Sequence, residues 1–263
     1  AFNNLGIRTC KKAWDDKSFD WHTTKNAIFR TTWDYFERLD EFLAWIKLYS
    51  KKIKFINDVD LILWNLDKNY LRSFPKKHIV PSLFLKLNNK TSLKEFFFQT
   101  GWEKIIIKPS VSAAAWNTHL VSKKNVTAME LIFSKLKKKH TMIVQEFQSN
   151  VLVFGEISLI IFGGVFSHAV LKKAKKNDYR VQDDFGGSVN VYQPKKTEID
   201  FAEKIVALCP KKPVYARVDI LFNHKNKPIL SELEIIEPEL WFRFNKKSAD
   251  FLAKKISNFI RED

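Results

Sequence analysis

Glycine is scarce in this chain: seven in 263 residues. Few loops can take positive φ without strain, so a loop that cradles phosphate must be built from other small residues. Cysteine is sparser still. Cys10 and Cys209 lie far apart and make no CxxC or other metal spacing, which argues against a disulfide framework and favours a reduced, cytoplasmic setting. No apolar run reaches transmembrane length and no secretory signal is visible. None of the six histidines forms an HxxxH pair or a nucleophile triad, so each reads as structural. Zinc-finger, RRM and helix-turn-helix signatures are missing, as are internal repeats and low-complexity segments.

What is present is a large apolar fraction and a surplus of positive charge. Apolar residues make up 45% of the chain and phenylalanine alone numbers 23, enough for one large domain or two to three small lobes. Lysine and arginine (45) outnumber aspartate and glutamate (29), for a formal charge of +16. A nucleic-acid-binding protein can carry such a charge. The excess, however, is mostly lysine scattered in pairs, such as 51–52, 123–124 and 195–196, while arginine, the better base reader, is infrequent. Solvated lysine-rich faces explain this pattern better, with nucleic-acid binding as the alternative.

The most informative stretch is 215–238, YARVDILFNHKNKPILSELEIIEP. Apolar runs from Val214 to Phe222 and from Pro228 to Ile236 flank the turn residues Asn223, His224, Lys225 and Asn226, which predicts a β-hairpin. Alternate side chains of a strand share a face. Arg217 and Asp219 therefore oppose Val218 and Ile220, and Glu232 and Glu234 oppose Leu233 and Ile235. One face is core and the other acidic. Carboxylates clustered beside a core need a cation or water, and hard oxygen ligands of this kind suit Mg²⁺ bridged to phosphate. Taken alone, the stretch fits an edge hairpin with a solvated charged face equally well.

In chain order, AFNNLGIRTCKKAWDD reads as the end of a helix followed by a strand, with an earlier strand of the same lobe expected ahead of it. Ala27 to Arg30 is strand-like. Thr31 to Asp34 offers a cap for an amphipathic helix with Phe36, Leu39, Leu43 and Ile46 on its apolar face. Lys54 to Ile56 reads as a strand, Val59 to Leu66 as a helix, and Asp67 to Phe74 as its continuation up to Pro75. This βα alternation predicts an α/β lobe with a parallel sheet over roughly the first 75 residues. Trp102 to Lys108 is a strand that ends in Lys108, where a lysine reaches water or an anion. The Ser110, Ser112 and Ala113 to Ala115 that follow form a small-residue loop able to bring N–H groups near phosphate, although a plain strand–loop junction fits equally well.

Asn125 to His140 reads as a helix whose lysine-rich end suits the helix dipole. Met142 to Phe147 is a strand that ends in Gln145, Glu146 and Phe147. Glu156 to Phe162, Gly163-Gly164 and Val165 to Leu171 form a hairpin followed by Lys172. Asp178 to Val189 reads as a polar loop, made mobile by Gly186-Gly187. Ile199 to Leu208 and Lys246 to Ile260 read as helices. Lys68, on its position alone, reads as a surface lysine, and Glu237 and Trp241 are candidate pocket-lining residues.

The order of these pieces resembles the ATP-grasp superfamily: a first-lobe lysine, IIIKP, QEF, the Gly-Glu-x-Ser hairpin, a further lysine, DYRVQ-x-x-FGG and ARVD…ELEIIEP. Within it the chain is most similar to the glutathione-synthetase-like branch and to the D-cycloserine-pathway O-ureidoserine cyclo-ligase type. RTTWDYFERLDEFLAWI and WNLDKNYL add to that likeness. The resemblance spans about Trp14 to the last helix and implies α/β lobes in an ATP-grasp fold: a front α/β lobe over 1–75, a small nucleotide lobe over 76–149 and a large lobe over 150–263.

The resemblance also implies roles for single residues. Lys68, Lys108 and Lys172 would meet the nucleotide phosphates beside Ser112, and Gln145, Glu146 and Phe147 would edge the adenine. Glu156 would bind the ribose. Asp219, Glu232 and Glu234 would hold magnesium, while Arg217 and Arg180 would face the transferring phosphoryl group or the acceptor. Two departures stand out: alanines and serines replace glycine in the phosphate loop, and Glu234 replaces a common asparagine, which makes the metal site one charge more negative. The implied enzyme is an ATP- and Mg²⁺-dependent ligase acting on a small amino-acid-like substrate. The resemblance implies neither a nucleic-acid nor a membrane partner, and a homodimer is the expected assembly. A catalytically inactive nucleotide-binding module is a further alternative.

Overall fold

In a computed structural model, which describes residues 1–175, 178–181 and 186–261, the chain builds three separate sheets. In chain order the elements are β1 (Asn26–Ile28), α1 (Leu39–Tyr49), β2 (Lys54–Ile56) and α2 (Val59–Leu66), then β3 (Ser82–Leu85), α3 (Leu93–Thr100), β4 (Lys104–Pro109), β5 (His119–Ser122), α4 (Val126–Lys139) and β6 (Met142–Glu146). The remainder is α5 (Val151–Phe154), β7 (Glu156–Phe162), β8 (Val165–Lys173), β9 (Ser188–Tyr192), α6 (Lys196–Ala207), β10 (Tyr215–Phe222), β11 (Pro228–Glu234) and α7 (Lys247–Arg261).

The front sheet is the parallel pair β1–β2, as the βα alternation predicts. The middle sheet is antiparallel in the order β3-β6-β4-β5, and the third is antiparallel in the order β11-β10-β7-β8-β9. Each has its own core. Phe42 and Ile46 of α1 pack with Phe29, Phe55 and Trp14 on the front sheet. Leu93, Phe96 and Phe133 of α3 and α4 cover the middle sheet. Ala202, Ile205 and Val206 of α6 cover one face of the third sheet, and Leu252 and Ile256 of α7 cover the other.

Helix α3 shows how local chemistry sets an end. Ser92 Oγ accepts from Glu95 N at 3.2 Å while Glu95 accepts from Ser92 N at 2.6 Å, a reciprocal cap that satisfies two otherwise unpaired donors.

The front segment does not stand apart from the third sheet. Leu61, Tyr70, Leu71 and Phe74 belong to that sheet's core. The fully buried Asn57 donates to the carbonyls of Tyr215 (2.9 Å) and Ile235 (2.7 Å) and accepts from Val214 N at 2.5 Å. Tyr215 Oη lies within hydrogen-bonding reach of the carbonyls of Phe29, Ile56 and Ile236, at 3.3, 3.0 and 2.6 Å. Asn65 Nδ2 donates to the carbonyl of Leu233 at 2.9 Å and its Oδ1 accepts from Ile235 N at 3.2 Å. Buried side chains therefore hold the end of β11 in place against the front lobe.

Several expectations need correction. The first helix starts at Leu39, not after Thr31–Asp34, because the Asp34 carboxylate accepts from Trp14 Nε1 at 3.2 Å. Asp67 is extended, so Lys68–Ser73 is a separate 3₁₀ turn, capped by Asp67 Oδ1 accepting from Asn69 N. The opening residues form a 3₁₀ turn, Phe2–Leu5, with no strand after it before Asn26. Ser188–Tyr192, read as loop as far as Val189, is an edge strand paired with β8. Residues 182–185 of the predicted polar loop lie outside the described residues.

Candidate active site

Strand alternation places the site. On β4, Ile105 and Ile107 are fully buried under α3 and α4, while Ile106 and Lys108 project from the opposite face. On β10 and β11, Val218, Ile220 and Leu233 enter the core, and Arg217 and Asp219 face the other way. Arg217 pairs in register with Glu234, and Asp219 with Glu232, just before a register shift between Asp219 and Ile220. These two faces bound a cavity of about 410 Å³ between the middle and third sheets. Every residue that the resemblance singled out lines it: Lys68, Lys108, Ser112, Gln145, Glu146, Phe147, Glu156, Lys172, Arg180, Arg217, Asp219, Glu232 and Glu234.

Charge pairing organises the floor. Arg217 is bidentate to Asp219, through Nε at 3.1 Å and Nη2 at 2.9 Å, and also bonds Glu234. Asp219 Oδ1 accepts from Ser158 Oγ at 2.5 Å, and its other oxygen meets Lys172 at 3.3 Å. Lys172 Nζ also lies 2.5 Å from Glu156. Burial alone would raise the Asp219 pKa, but Arg217 and Lys172 outweigh it and hold the carboxyl at about 2. At Glu156 and Glu234 burial wins instead, lifting the latter to about 7.

Gly155, with φ +81°, precedes Glu156 because a Cβ there would overlap the carbonyl of Lys172. The glycine lets the start of β7 lie beside the end of the antiparallel β8 and sets Glu156 opposite Lys172.

The lysines behave differently from one another. Lys68, expected on position alone to be a surface residue, is buried; it donates to the Ser112 carbonyl and lies 3.2 Å from Glu232. Lys108 is only 9% exposed, and its amine has no hydrogen bond or ion pair among the described residues. Burial lowers its pKa, partly opposed by the charge of Glu232. An unpaired cation on a cavity wall is an anion site in waiting.

The loop after β4 resolves the glycine shortage. Ala114, Ala115 and Asn117 take positive φ (48°, 55° and 50°), so alanine adopts the conformation that glycine would adopt with less strain. Tyr179 Oη ties this loop to the predicted polar loop by donating to Thr118 O at 3.1 Å, and its ring lies edge-on to Phe147. Gln145 donates to Ser82 Oγ at 2.9 Å, and Glu146 accepts from Gln148 at 3.1 Å. Arg180 is held by Asp178, at 2.8 Å, which brings the Asp178 pKa down to about 2.

The three acidic residues do not form a ready chelate. Among the described residues no three His, Cys, Asp or Glu side chains are arranged to hold a metal: Lys68 holds Glu232, and Arg217 holds both Asp219 and Glu234. The donor set is nonetheless all hard oxygen on adjacent strand positions, which fits magnesium and not a soft metal.

Sequence reasoning missed Trp33, Tyr35, Asn65, Tyr70 and Tyr179, all of which line the cavity. The first four come from the front segment, and no spacing rule links them to β11. Glu237 and Trp241 line it too, as does Glu239.

Comparison with known proteins agrees with this geometry. Residues 1–57 match the family model described as D-cycloserine synthetase DcsG, N-terminal domain. The cycloserine biosynthesis protein DcsG of Streptomyces lavendulae is 23% identical over 99% of this chain and 92% of its own length. The crystal structure of D-cycloserine synthetase DcsG superposes with a TM-score of 0.89 at 23% identity, over 98% of this chain and 92% of that one. The ATP-grasp ligase PsnB, solved with a phosphomimetic variant of its minimal precursor, Mg and ADP, gives 0.62 at 12% identity over 88% and 78%. D-alanine–D-alanine ligase of Bacillus anthracis gives 0.61 at 15% identity over 89% and 74%. The chain has the ATP-grasp fold, and along nearly its whole length it is similar to a D-cycloserine synthetase.

Proposed function

We propose that this protein is an ATP- and Mg²⁺-dependent carbon–nitrogen ligase acting on a small, amino-acid-like substrate. One observation carries the reading: one cavity collects Lys68, Lys108, Lys172 and Arg217 against Glu156, Asp219, Glu232 and Glu234, and among the described residues leaves Lys108 without a partner. Likeness to a cycloserine synthetase and to other ATP-grasp ligases supports it.

A substrate carboxylate oxygen, or a ureido-type carbonyl oxygen in a ring-closing reaction, attacks the γ-phosphorus. The bond to ADP breaks and ADP leaves. An amine nitrogen then attacks the activated carbon, the carbon–oxygen bond to phosphate breaks, and the amine proton passes to solvent. Lys68, Lys108 and Lys172 bind phosphate oxygens, and Arg217 and Arg180 face charge that develops during transfer. Gln145, Glu146 and Phe147 edge the base and Glu156 the ribose. Asp219, Glu232 and Glu234 would hold magnesium, which when bound neutralises phosphate charge. No nucleophilic side chain is needed, since position and charge carry such a transfer. Residues 1–75 supply the substrate end, 76–149 the base and phosphate wall, and 150–263 the acidic floor. The setting is cytoplasmic. Among the described residues no helix is long and apolar enough to cross a membrane.

The test is incubation with Mg-ATP and an amino-acid panel, following ADP release and the mass of condensed or ring-closed products. Substrate-dependent ADP release with a product of matching mass supports ligation. Nucleotide binding without turnover for every substrate indicates the inactive module, and salt-sensitive retention of nucleic acid on filters without nucleotide binding indicates the basic-surface alternative.

A further inference from the structure

The cavity also carries polar groups that the reaction above does not use. Glu237 is 6% exposed and lines the cavity, and among the described residues its carboxylate has no ion pair and no hydrogen bond from another residue, only one from its own backbone N–H. The backbone that carries it is pinned: Trp33 Nε1 donates to the Glu237 carbonyl at 3.4 Å and Arg30 Nη1 to the Pro238 carbonyl at 3.2 Å. Arg30 donates to the Pro238 carbonyl and lies over the Phe242 ring, and it is not among the cavity-lining residues. Glu237 is therefore held in place with no ion-pair partner among the described residues, and Arg30, Arg217 and Lys68 act on it only through their more distant charge.

Two neighbours repeat the pattern. Tyr35 is buried on the same wall, and its hydroxyl has no hydrogen bond among the described residues. Trp241 is buried with Nε1 unpartnered, and it sits at φ +54°, a left-handed conformation that is strained for a bulky residue. A carboxylate and a hydroxyl left without partners from other residues on one wall are costly unless a ligand completes them.

We propose that Glu237 is the counter-ion for a primary ammonium group on the substrate, in a subsite walled by Tyr35 and Trp241, with the Tyr35 hydroxyl donating to a neighbouring substrate oxygen. The inference rests on the ligase reading only in taking this cavity as the active site. Glu237 and Glu239 line the cavity together with the aromatic residues Trp33, Tyr35 and Trp241. Carboxylates beside aromatic rings draw a cationic group. The Trp33, Tyr35 and Trp241 rings add favourable faces for a cation. Burial pushes the Glu237 carboxyl up to about 8, reinforced by the charge of Glu234, as expected of an acid whose partner arrives with the ligand.

The experiment is calorimetric titration of the full chain, saturated with magnesium and a non-hydrolysable ATP analogue. The probes are D- and L-alanine and D- and L-serine, each against its counterpart lacking the amino group (propionate or 3-hydroxypropionate). Wild type should bind at least one amino acid roughly 10- to 100-fold more tightly than its counterpart, the range of one charge-assisted hydrogen bond. Glu237→Gln should abolish that preference without weakening nucleotide binding, and Glu237→Asp should restore part of it. Equal binding of both members of each pair, an amine preference that survives Glu237→Gln, or no binding of any amino acid overturns the proposal. ADP release, measured in parallel with ATP, separates the two ideas: amine-selective binding without turnover sinks the ligase reading and leaves the subsite standing, whereas turnover indifferent to the amine sinks the subsite alone.

Discussion

Replacing Lys108 with methionine should move stability and nucleotide affinity in opposite directions. The substitution keeps the length of the stem and removes the charge. In the absence of nucleotide the amine is nearly buried and unpaired, and burial lowers its pKa. A lysine whose folded pKa is lowered costs stability wherever the unfolded chain would be protonated. That cost is present in full below the lowered folded value and fades as pH rises through it toward the ordinary 10.5. Because the amine borders a cavity and feels Glu232, the cost is taken near the low end for an unsatisfied buried group, about 1 kcal/mol. Lys108→Met should therefore raise the melting temperature of the free protein at neutral pH by about 2–4 °C.

On the proposed phosphate role of Lys108, the same change should remove a charge-assisted bond worth about 1.5–3 kcal/mol, or roughly 10- to 150-fold in Mg-ATP affinity. Differential scanning fluorimetry with and without Mg-ATP reads both effects, with the exposed Lys86→Met as the control that changes neither. A Lys108→Met protein that melts lower than wild type, or that keeps the full Mg-ATP shift, would refute the reasoning, because the amine would then have a structural partner or no anion to bind.

Three further predictions follow from the buried polar groups and the strained loop. Glu237, raised from an ordinary 4.5 to about 8, makes folding proton-binding: its contribution to stability is complete below about 4.5 and is lost as pH rises through about 8. In urea titrations across that window Glu237→Gln should flatten part of the fall, leaving the part due to Glu234, and an unchanged slope would count against the assignment. Asn57→Ala strands the Tyr215 and Ile235 carbonyls and the Val214 N–H and should cost about 2–4 kcal/mol in equilibrium unfolding, whereas a loss under about 1 kcal/mol would mean that water replaces the side chain. Ala115→Gly relieves a left-handed alanine at φ +55° and should stabilise by about 0.5–1 kcal/mol in the same assay, and destabilisation would show that the methyl group packs.

How much of the fold is legible depends on whether one signal speaks alone. Lys54–Ile56, Val59–Leu66 and the β7–β8 hairpin coincide with their expected spans to within two residues because apolar period and bounding turn residues agree. The strands Ser82–Leu85, His119–Ser122 and Ser188–Tyr192 gave no comparable signal. Each is only four or five residues long, and their burial is partial at most positions. Pairing with a longer neighbour creates them, and that information lies in the neighbour. Thr31–Asp34 misled for the opposite reason, since its capping residues are real but Asp34 is committed to Trp14, a tertiary demand that outranks a local one.

At the site, the sequence placed each charge but could not pair them. Alternation along β10 and β11 put Arg217, Asp219, Glu232 and Glu234 on one face, and the structure keeps them there. It could not show that Lys172 turns to Glu156 and Asp219, or that Lys68 turns to Ser112 and Glu232, because those contacts join strands and turns from distant parts of the chain. The pairing matters for the proposed reaction. A buried charge stripped of its partner is heavily destabilising, so a site with this many ions must keep them matched both with and without nucleotide. In the proposed reaction the acidic side chains would stand in for phosphate against the cations until nucleotide binds, and Asp219, Glu232 and Glu234 would then be free to hold magnesium, which supplies neutralisation of phosphate charge. Binding would exchange partners without first desolvating bare charges, and Lys108, unmatched among the described residues, is the proposed phosphate contact with no partner to give up.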